Sequence, residues 1–489
     1  MSTAEATTAE EKTRAAILAK LGELGKITIG DDSLIFEGTK FILPESMSGD
    51  IQGARRYLNE YDKQQNNTFE FTRVFDYRPW DGANAFQNAM KNTFGTVGIG
   101  VTVSDMFGEY KPQYRTIPVS STQSIQIPWG TVSFSPLSAE FTLHTTHNDF
   151  GLVFAIGVEA PRRYRAYIEA FFQVVENELK TNSIYRGKAI TGGDDPAFLD
   201  TASIDPSRVV YSDAVQTQLD TNFWSMLRYT DTMRDNGIPL KRSVLVYGPY
   251  GTGKTLAGQL TAKEAVANGW TFILARPGKD DLQEVLHTAE LYAPAVVWYE
   301  DIDNVAKGTS AQQISGLLDS LDGIANKGVA ILAGFTTNHL DQIQKGVLRP
   351  GRIDALVEIA GLDAAGYEKL IKVVIPEKLL GSINYSVVAK AFDGFLPAFA
   401  KSAIDRALMY TISRNDGVPD VIGTADLVNA ADGLRPQHDL MQDAKEGVAV
   451  NPLDHQLAEL IKDSVNGMGF VSGVEPHEQN TIYSLKRAA

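Results

Sequence analysis

The 489-residue chain contains no cysteine. That absence removes disulfides, thiolate nucleophiles and cysteine-ligated zinc from the chemistries open to it. Histidine is scarce as well: 7 residues are scattered without metal-ligand spacing, so a structural metal is not expected. No apolar run reaches the length a helix needs to cross a bilayer, and the N-terminus, MSTAEATTAEEKTRAA, is polar and acidic, unlike a signal peptide. A soluble, intracellular, cytoplasmic protein is the expectation. A positive balance is missing too, since 45 Lys and Arg face 60 Asp and Glu for a formal net charge of −15. Phosphate backbones need a basic face, so nucleic acid is disfavoured as a general partner, with only a local basic patch left open. What remains is an ordinary globular composition, 43% hydrophobic and 21% charged, in a chain too long for one core.

One stretch organises the rest. Val244-Leu-Val-Tyr247 is a short apolar run of the kind a buried parallel strand needs, and Leu256 to Asn268 reads as a helix. Between them, Gly248, Pro249, Tyr250, Gly251, Thr252, Gly253, Lys254 and Thr255 satisfy G-x-x-x-x-G-K-[ST], with Leu256 following. In a strand–loop–helix setting, glycines turn backbone N–H groups inward around an anion, and the helix N-terminus adds its positive dipole end. Lys254 is placed to reach the β- and γ-phosphates of ATP, and the Thr255 hydroxyl to ligate Mg²⁺.

A nucleotide-hydrolysing site also needs a carboxylate near the metal and another to polarise water. Ala295-Val-Val-Trp-Tyr-Glu300-Asp301-Ile-Asp303 is an apolar strand ending in acid, and Glu300 lies 46 residues after Lys254. Glu300 falls at the metal-side position and Asp301 at the water-activating one. The next apolar run, Val329 to Phe335, ends at Asn338, whose amide both donates and accepts and so suits a water or a γ-phosphate. Alone, Asn338 would read as a strand-end turn residue. Leu348-Arg-Pro-Gly-Arg-Ile-Asp354 puts Arg349 and Arg352 in one turn, a guanidinium pair suited to a γ-phosphate bound by a neighbouring subunit or, without the other motifs, to surface salt bridges.

Around these motifs the chain reads as α/β, with strands alternating with helices into a parallel sheet, preceded by a mixed α+β region. The expected division is 1–200 accessory and client-recognition, 201–360 large α/β subdomain, 361–435 helical lid and 436–489 tail. Within the first region, candidate strands are Leu34–Leu43, Thr68–Tyr77, Thr96–Thr102, Ser124–Phe134 and Leu152–Gly157. Candidate helices are Glu11–Leu24, Arg55–Lys63, Ala83–Lys91 and Tyr164–Leu179. Its aromatic residues, Trp80 and Trp129 among them, suit a core better than a ligand platform. Val215–Arg234 is amphipathic, and Leu453–Val465 is a candidate tail helix.

Together these motifs resemble the AAA ATPases over about Val209 to Ala430: the glycine loop resembles Walker A, VVWYED Walker B, Asn338 sensor 1, Arg349 and Arg352 the arginine-finger turn, and Leu317–Ile324 the clade's helix-and-turn signature. Within that family the similarity is nearest to the mitochondrial AAA chaperones that translocate the folded Rieske iron–sulfur protein. It rests on the Glu300-Asp301 order, on TTNHLD followed by LRPGRID, and on the short interval before Walker B. Threading unfoldases carry an aromatic in that interval; here none occurs from Ala275 to Leu291. Tyr250 replaces a proline, and Phe395-Leu-Pro-Ala398 replaces a small-residue lid turn. The resemblance implies an ATPase with Mg²⁺, assembled as a homo-hexameric or homo-heptameric ring whose sites are completed by a neighbour, remodelling or translocating a protein client. The alternatives are a nucleic-acid loader and an ATP-binding scaffold with slow hydrolysis.

Overall fold

Period-two alternation sorts side chains to the two faces of each of the larger sheets, and in the parallel one both faces are buried. A computed structural model describes residues 51–95, 103–105, 108–110, 114–134, 137–276, 279–302, 328–343, 346, 348–349 and 351–443. The elements expected over Glu11–Leu24, Leu34–Leu43, Thr96–Thr102 and Leu453–Val465, and the Leu317–Ile324 signature, lie outside the described residues.

The N-terminal part opens with the helix Ile51–Asn66 and strand β1 (Thr68–Phe75). The helix Pro79–Phe94 follows, then a short hairpin, β2 (Val103–Asp105) and β3 (Gly108–Tyr110), and a second one, β4 (Tyr114–Pro118) and β5 (Ser124–Pro128). Next come β6 (Gly130–Phe134), β7 (Ala139–Asn148), β8 (Gly151–Pro161) and the helix Arg165–Thr181. An antiparallel sheet runs in the order β1-β8-β7-β6. Two helices, Pro79–Phe94 and Arg165–Thr181, share a core with it in which Phe86, Phe141, Phe154 and Phe171 are fully buried. The single strand expected over Ser124–Phe134 is two, because Pro128 has no N–H to continue a ladder. The sequence reading missed β7, whose second half, HTTHN, is polar. Its first half nonetheless alternates cleanly, with Ala139, Phe141 and Leu143 buried and Glu140 and Thr142 exposed. Asp81 ties the helix Pro79–Phe94 to the segment that follows Arg165–Thr181: its buried carboxylate accepts the Ile184 N–H and the Ser183 hydroxyl, each at 2.8 Å. Burial pushes its pKa up to about 6, against the pull of those donors.

The second sheet is six-stranded and wholly parallel. Its strands are β9 (Ala189–Thr191), β10 (Lys241–Tyr247), β11 (Thr271–Ala275), β12 (Ala295–Tyr299), β13 (Ile331–Thr337) and β14 (Ala355–Glu358), in the order β14-β10-β13-β12-β11-β9. Alternation sorts its side chains to two faces. Val244, Val246, Phe272, Val296, Trp298 and Leu332 pack with the helix Lys254–Ala267 and the segment 211–227. Leu245, Ile273, Val297, Tyr299, Ala333 and Phe335 face the other way, joining the helix Leu282–Leu291 and the N-terminal aromatic core in one continuous cluster. The N-terminal part is therefore packed onto the sheet, and residues 189–191, N-terminal to the expected boundary at 200, supply its edge strand. The amphipathic segment 215–234 is not one helix. It runs as Asp213–Leu219, a π-helical turn Asp220–Trp224, Ser225–Arg228 and Thr230–Asp235, with Trp224 donating to the Thr261 hydroxyl.

A second compact unit begins after Val373, residues Leu396–Ala398 grouping with the first. Its helices include Tyr385–Ala391, most of Pro397–Arg414, Thr424–Asp432 and Arg435–Asp443. Phe392, Phe395, Ala403, Ile404, Leu427 and Ala430 are buried in it. Among the described residues no helix is long and apolar enough to cross a membrane.

Candidate active site

The carboxyl ends of β10, β12 and β13 lie side by side, and each delivers one part of the site. The loop after β10 turns back on itself before the helix Lys254–Ala267. Gly248, at φ 152, is pressed so closely against the chain that a Cβ there would stand 2.2 Å from the Ile359 carbonyl oxygen. No other residue fits that conformation and that space. Lys254 is buried, and its ammonium donates to the Gly248 and Pro249 carbonyls at 2.8 Å each. The Thr252 hydroxyl donates to the Pro249 carbonyl, and the Tyr211 hydroxyl to that of Gly253, both closing the loop from within. Tyr250, standing where a proline was expected, projects into solvent. Its ring lies 5.8 Å from the Lys254 ammonium and meets His339 edge-on at 6.0 Å.

Past β12, Glu300 is half-buried and accepts a hydrogen bond from the Thr255 hydroxyl. Burial and then the Asp301 charge push its pKa up, with the Thr255 donation opposing. Asp301 adopts a left-handed backbone, φ 49, a region that Asp tolerates better than most residues. β13 holds it there: Asp301 donates its N–H to the Thr336 hydroxyl at 2.8 Å, and Asn338 donates its side-chain amide to the Asp301 carboxylate at 2.9 Å. Five of the expected residues, Lys254, Thr255, Glu300, Asp301 and Asn338, are thus assembled at one end of the sheet.

Arg349 and Arg352 are placed differently. Their turn is knit by its own backbone, with Arg352 and Ile353 donating N–H groups to the Arg349 carbonyl. It precedes β14, and the following Asp354 exchanges two hydrogen bonds with the Ser243 backbone, near the amino end of β10. Four residues of strand separate Ser243 from Tyr247, or about 13 Å at ~3.3 Å per residue. The turn that carries Arg349 and Arg352 therefore lies toward the end of β10 opposite the phosphate loop.

Three supporting features escaped the sequence reading. Tyr211 and Thr336 act through hydrogen bonds to backbone, which no motif spacing reveals. The third is the slot holding Trp298, the fourth of the five residues of β12, between two glycines: a Cβ on Gly258 would lie 2.5 Å from its indole nitrogen, and one on Gly334 2.2 Å from its ring. Each glycine lies in an element already assigned to the site, so the only prior signal was their small size. A cavity of ≈ 530 Å³ opens beside Thr255 and Glu300, with Arg208, Val209, Gln259 and Trp298 in its walls.

The donor set fits a nucleotide with a hard divalent cation. The glycine loop is a concave cradle that a Cβ would fill, and Thr255 and Glu300 offer a hydroxyl and a carboxylate, the oxygen ligands that Mg²⁺ prefers.

Comparison with known proteins agrees. Residues 244–360 match the ATPase family associated with various cellular activities (AAA). The ATP-dependent zinc metalloprotease FtsH 2 of Symbiobacterium thermophilum is 28% identical over 325 residues, 62% of this chain and 52% of that protein. The proteasome-activating nucleotidase of Sulfurisphaera tokodaii is 29% identical over 231 residues, 43% of this chain and 58% of its own. The ATP-dependent zinc metalloprotease YME1L of Drosophila melanogaster is 31% identical over 199 residues, 37% and 27% of the two chains. The chain spans about half the length of the first of these and about a quarter of the last. With the phosphate loop, the paired carboxylates and the polar strand end all in register on one parallel sheet, residues 244–360 constitute an AAA ATPase domain.

Proposed function

We propose that this chain is one subunit of a ring that hydrolyses ATP to remodel or move a protein client. One observation carries the reading: Asp301 is clamped by Thr336 and Asn338 beside Glu300 and Thr255, at the strand end where the phosphate loop begins. In this scheme Gly248 to Leu256 wrap the phosphates with backbone N–H groups, and Lys254 exchanges its two carbonyl partners for phosphate oxygens. Thr255 and Glu300 hold Mg²⁺, which neutralises charge on the phosphates. Asp301 takes the proton of the attacking water and Asn338 orients that water. Arg349 and Arg352 act on the site of the next subunit, a role supported by their position at the far end of β10.

The finer kinship, with chaperones that translocate a folded Rieske protein, is supported by the Glu300-Asp301 order and by the lack of an aromatic from Ala275 to Leu291. The same features favour a ring that does not thread unfolded chains. Its proposed parts are residues 1–200 for the client, 201–360 and 361–435 for the motor and lid, and 436–489 as a tail. The net charge of −15 favours a protein client over nucleic acid. The deciding measurement is steady-state ATPase activity of the purified chain with and without Mg²⁺, alongside its mass in solution. A protein that turns over ATP as a monomer at every concentration refutes the shared-site ring.

A further inference from the structure

Within the interval Ala275 to Leu291, where threading motors carry their gripping aromatic, Arg276 and Asp280 are tied to the connection that follows the edge strand β9. Arg276 donates through its guanidinium to the Asp280 carboxylate at 2.7 Å and to the Gly192 carbonyl at 2.9 Å. Asp280 is 2% exposed and also accepts the Arg276 backbone N–H. Gly192 belongs to the connection that follows the edge strand β9, and its own N–H bonds Leu274 of β11.

A second tie lies next to it. Arg78, 2% exposed at the start of the helix Pro79–Phe94, reaches across to the helix Leu282–Leu291. It bonds Glu284 and the Thr288 hydroxyl there, each at 2.8 Å. On the N-terminal side it bonds the Phe150 and Leu152 carbonyls at the start of β8, and Asp194 of the connection at 3.1 Å. Asp194 in turn accepts the Leu152 N–H. Phe150 stacks on His287 of the same motor helix, centroids 4.2 Å apart, and Asp76 pairs with that histidine at 3.0 Å. Gly151 makes the approach possible: it sits at φ +104, and a Cβ there would be 2.2 Å from Asp194.

These ties attach to the part of the sheet that meets the nucleotide. Register pairs Ala275 with Tyr299, so Arg276 and Glu300 leave the sheet as neighbours. The helix Leu282–Leu291 packs Val285, Leu286 and Ala289 into the same core as Ile273 and Val297. A buried arginine shared between two carboxylates holds its geometry tightly, because parting them strands desolvated charge.

We propose that Arg78 and Arg276 are positioning residues that transmit nucleotide-driven movement of β11, β12 and the helix Leu282–Leu291 to the N-terminal sheet, so that the motor's stroke is delivered there and not to a chain gripped at residues 276–281. The proposal rests on the ATPase reading above. Its test is hydrogen exchange of the full chain with and without a non-hydrolysable ATP analogue and Mg²⁺. In the wild type, bound analogue alters exchange at residues 248–255 and also in β8 and the helix Pro79–Phe94. The double variant Arg276→Gln, Glu284→Gln, which keeps Arg78 but removes the guanidinium of the first tie and the Glu284 charge of the second, retains the response at 248–255 and loses it in β8. A response in β8 that survives in the double variant overturns the proposal, as does a wild type that responds only at the phosphate loop. No response at 248–255 in the wild type refutes nucleotide binding itself and the linkage with it. Should the double variant unfold, Arg276→Gln alone, altering a side chain 40% exposed, must still weaken the β8 response.

Discussion

Lys254 is the residue on which nucleotide binding turns. With Lys254→Ala, binding measured by titration of a fluorescent ATP analogue should be lost, because the buried ammonium that lies within the loop is removed. Asp301 makes a sharper test, since Asp301→Asn keeps the shape and one acceptor oxygen for Asn338 while removing the base. It should bind ATP normally and turn it over about 10²–10⁴-fold more slowly; normal turnover would take the proton-acceptor role away from Asp301. Asp81 tests burial instead of chemistry. Its folded-state pKa, about 6, lies above the ordinary 3.8, so the folded chain binds this proton more tightly than the unfolded one. The stabilisation from that proton is complete below 3.8, is lost as pH rises through 6, and is absent at 7. About two pKa units correspond to ~3 kcal/mol. Urea unfolding at pH 5 and pH 7.5 should therefore show the wild type losing ground to Asp81→Asn as pH rises. A pH-independent difference would mean that Asp81 is ionised at both.

At the scale of elements, the Trp298 slot ties the phosphate-loop helix, β12 and β13 into one block. Gly334→Ala drives a methyl into the indole and should cost about 1–3 kcal/mol of stability by overpacking, read from the urea midpoint. Four of the six motor strands, β10 to β13, were legible in the sequence because each is a short apolar run, as with AVVWY before Glu300-Asp301, whereas β14, four residues at the sheet edge, was not. The phosphate loop and the carboxylates were legible because their chemistry fixes residue type and spacing together. β7 was not, since half of it faces solvent and reads as polar loop. Nor was β9, three residues long and dependent for its existence on pairing with β11, which lies some eighty residues later. The Arg78 contacts were invisible for the same reason: Glu284 and Thr288 are 206 and 210 residues away, and no local pattern marks such a meeting.

For the whole molecule, the far-end placement of Arg349 and Arg352 separates a ring from a self-sufficient enzyme. Arg349→Ala should bind ATP as before and hydrolyse it on the order of 10³-fold more slowly. Mixing it with Lys254→Ala subunits should restore activity, since the second variant supplies intact arginines to the first one's sites. Failure of the mixture to recover would place the arginines elsewhere.

The origin of the sixth strand bears on how this protein can be taken apart. A chain cut to begin at Thr201 leaves the hydrogen-bonding groups of β11 bare along one side, an invitation to stack on its own kind. Such a fragment should scatter light and sediment as heterogeneous clumps to a greater extent than one that begins at residue 186, which keeps β11 paired with β9. Whoever grafts this engine onto a foreign front end must carry those three residues across with it.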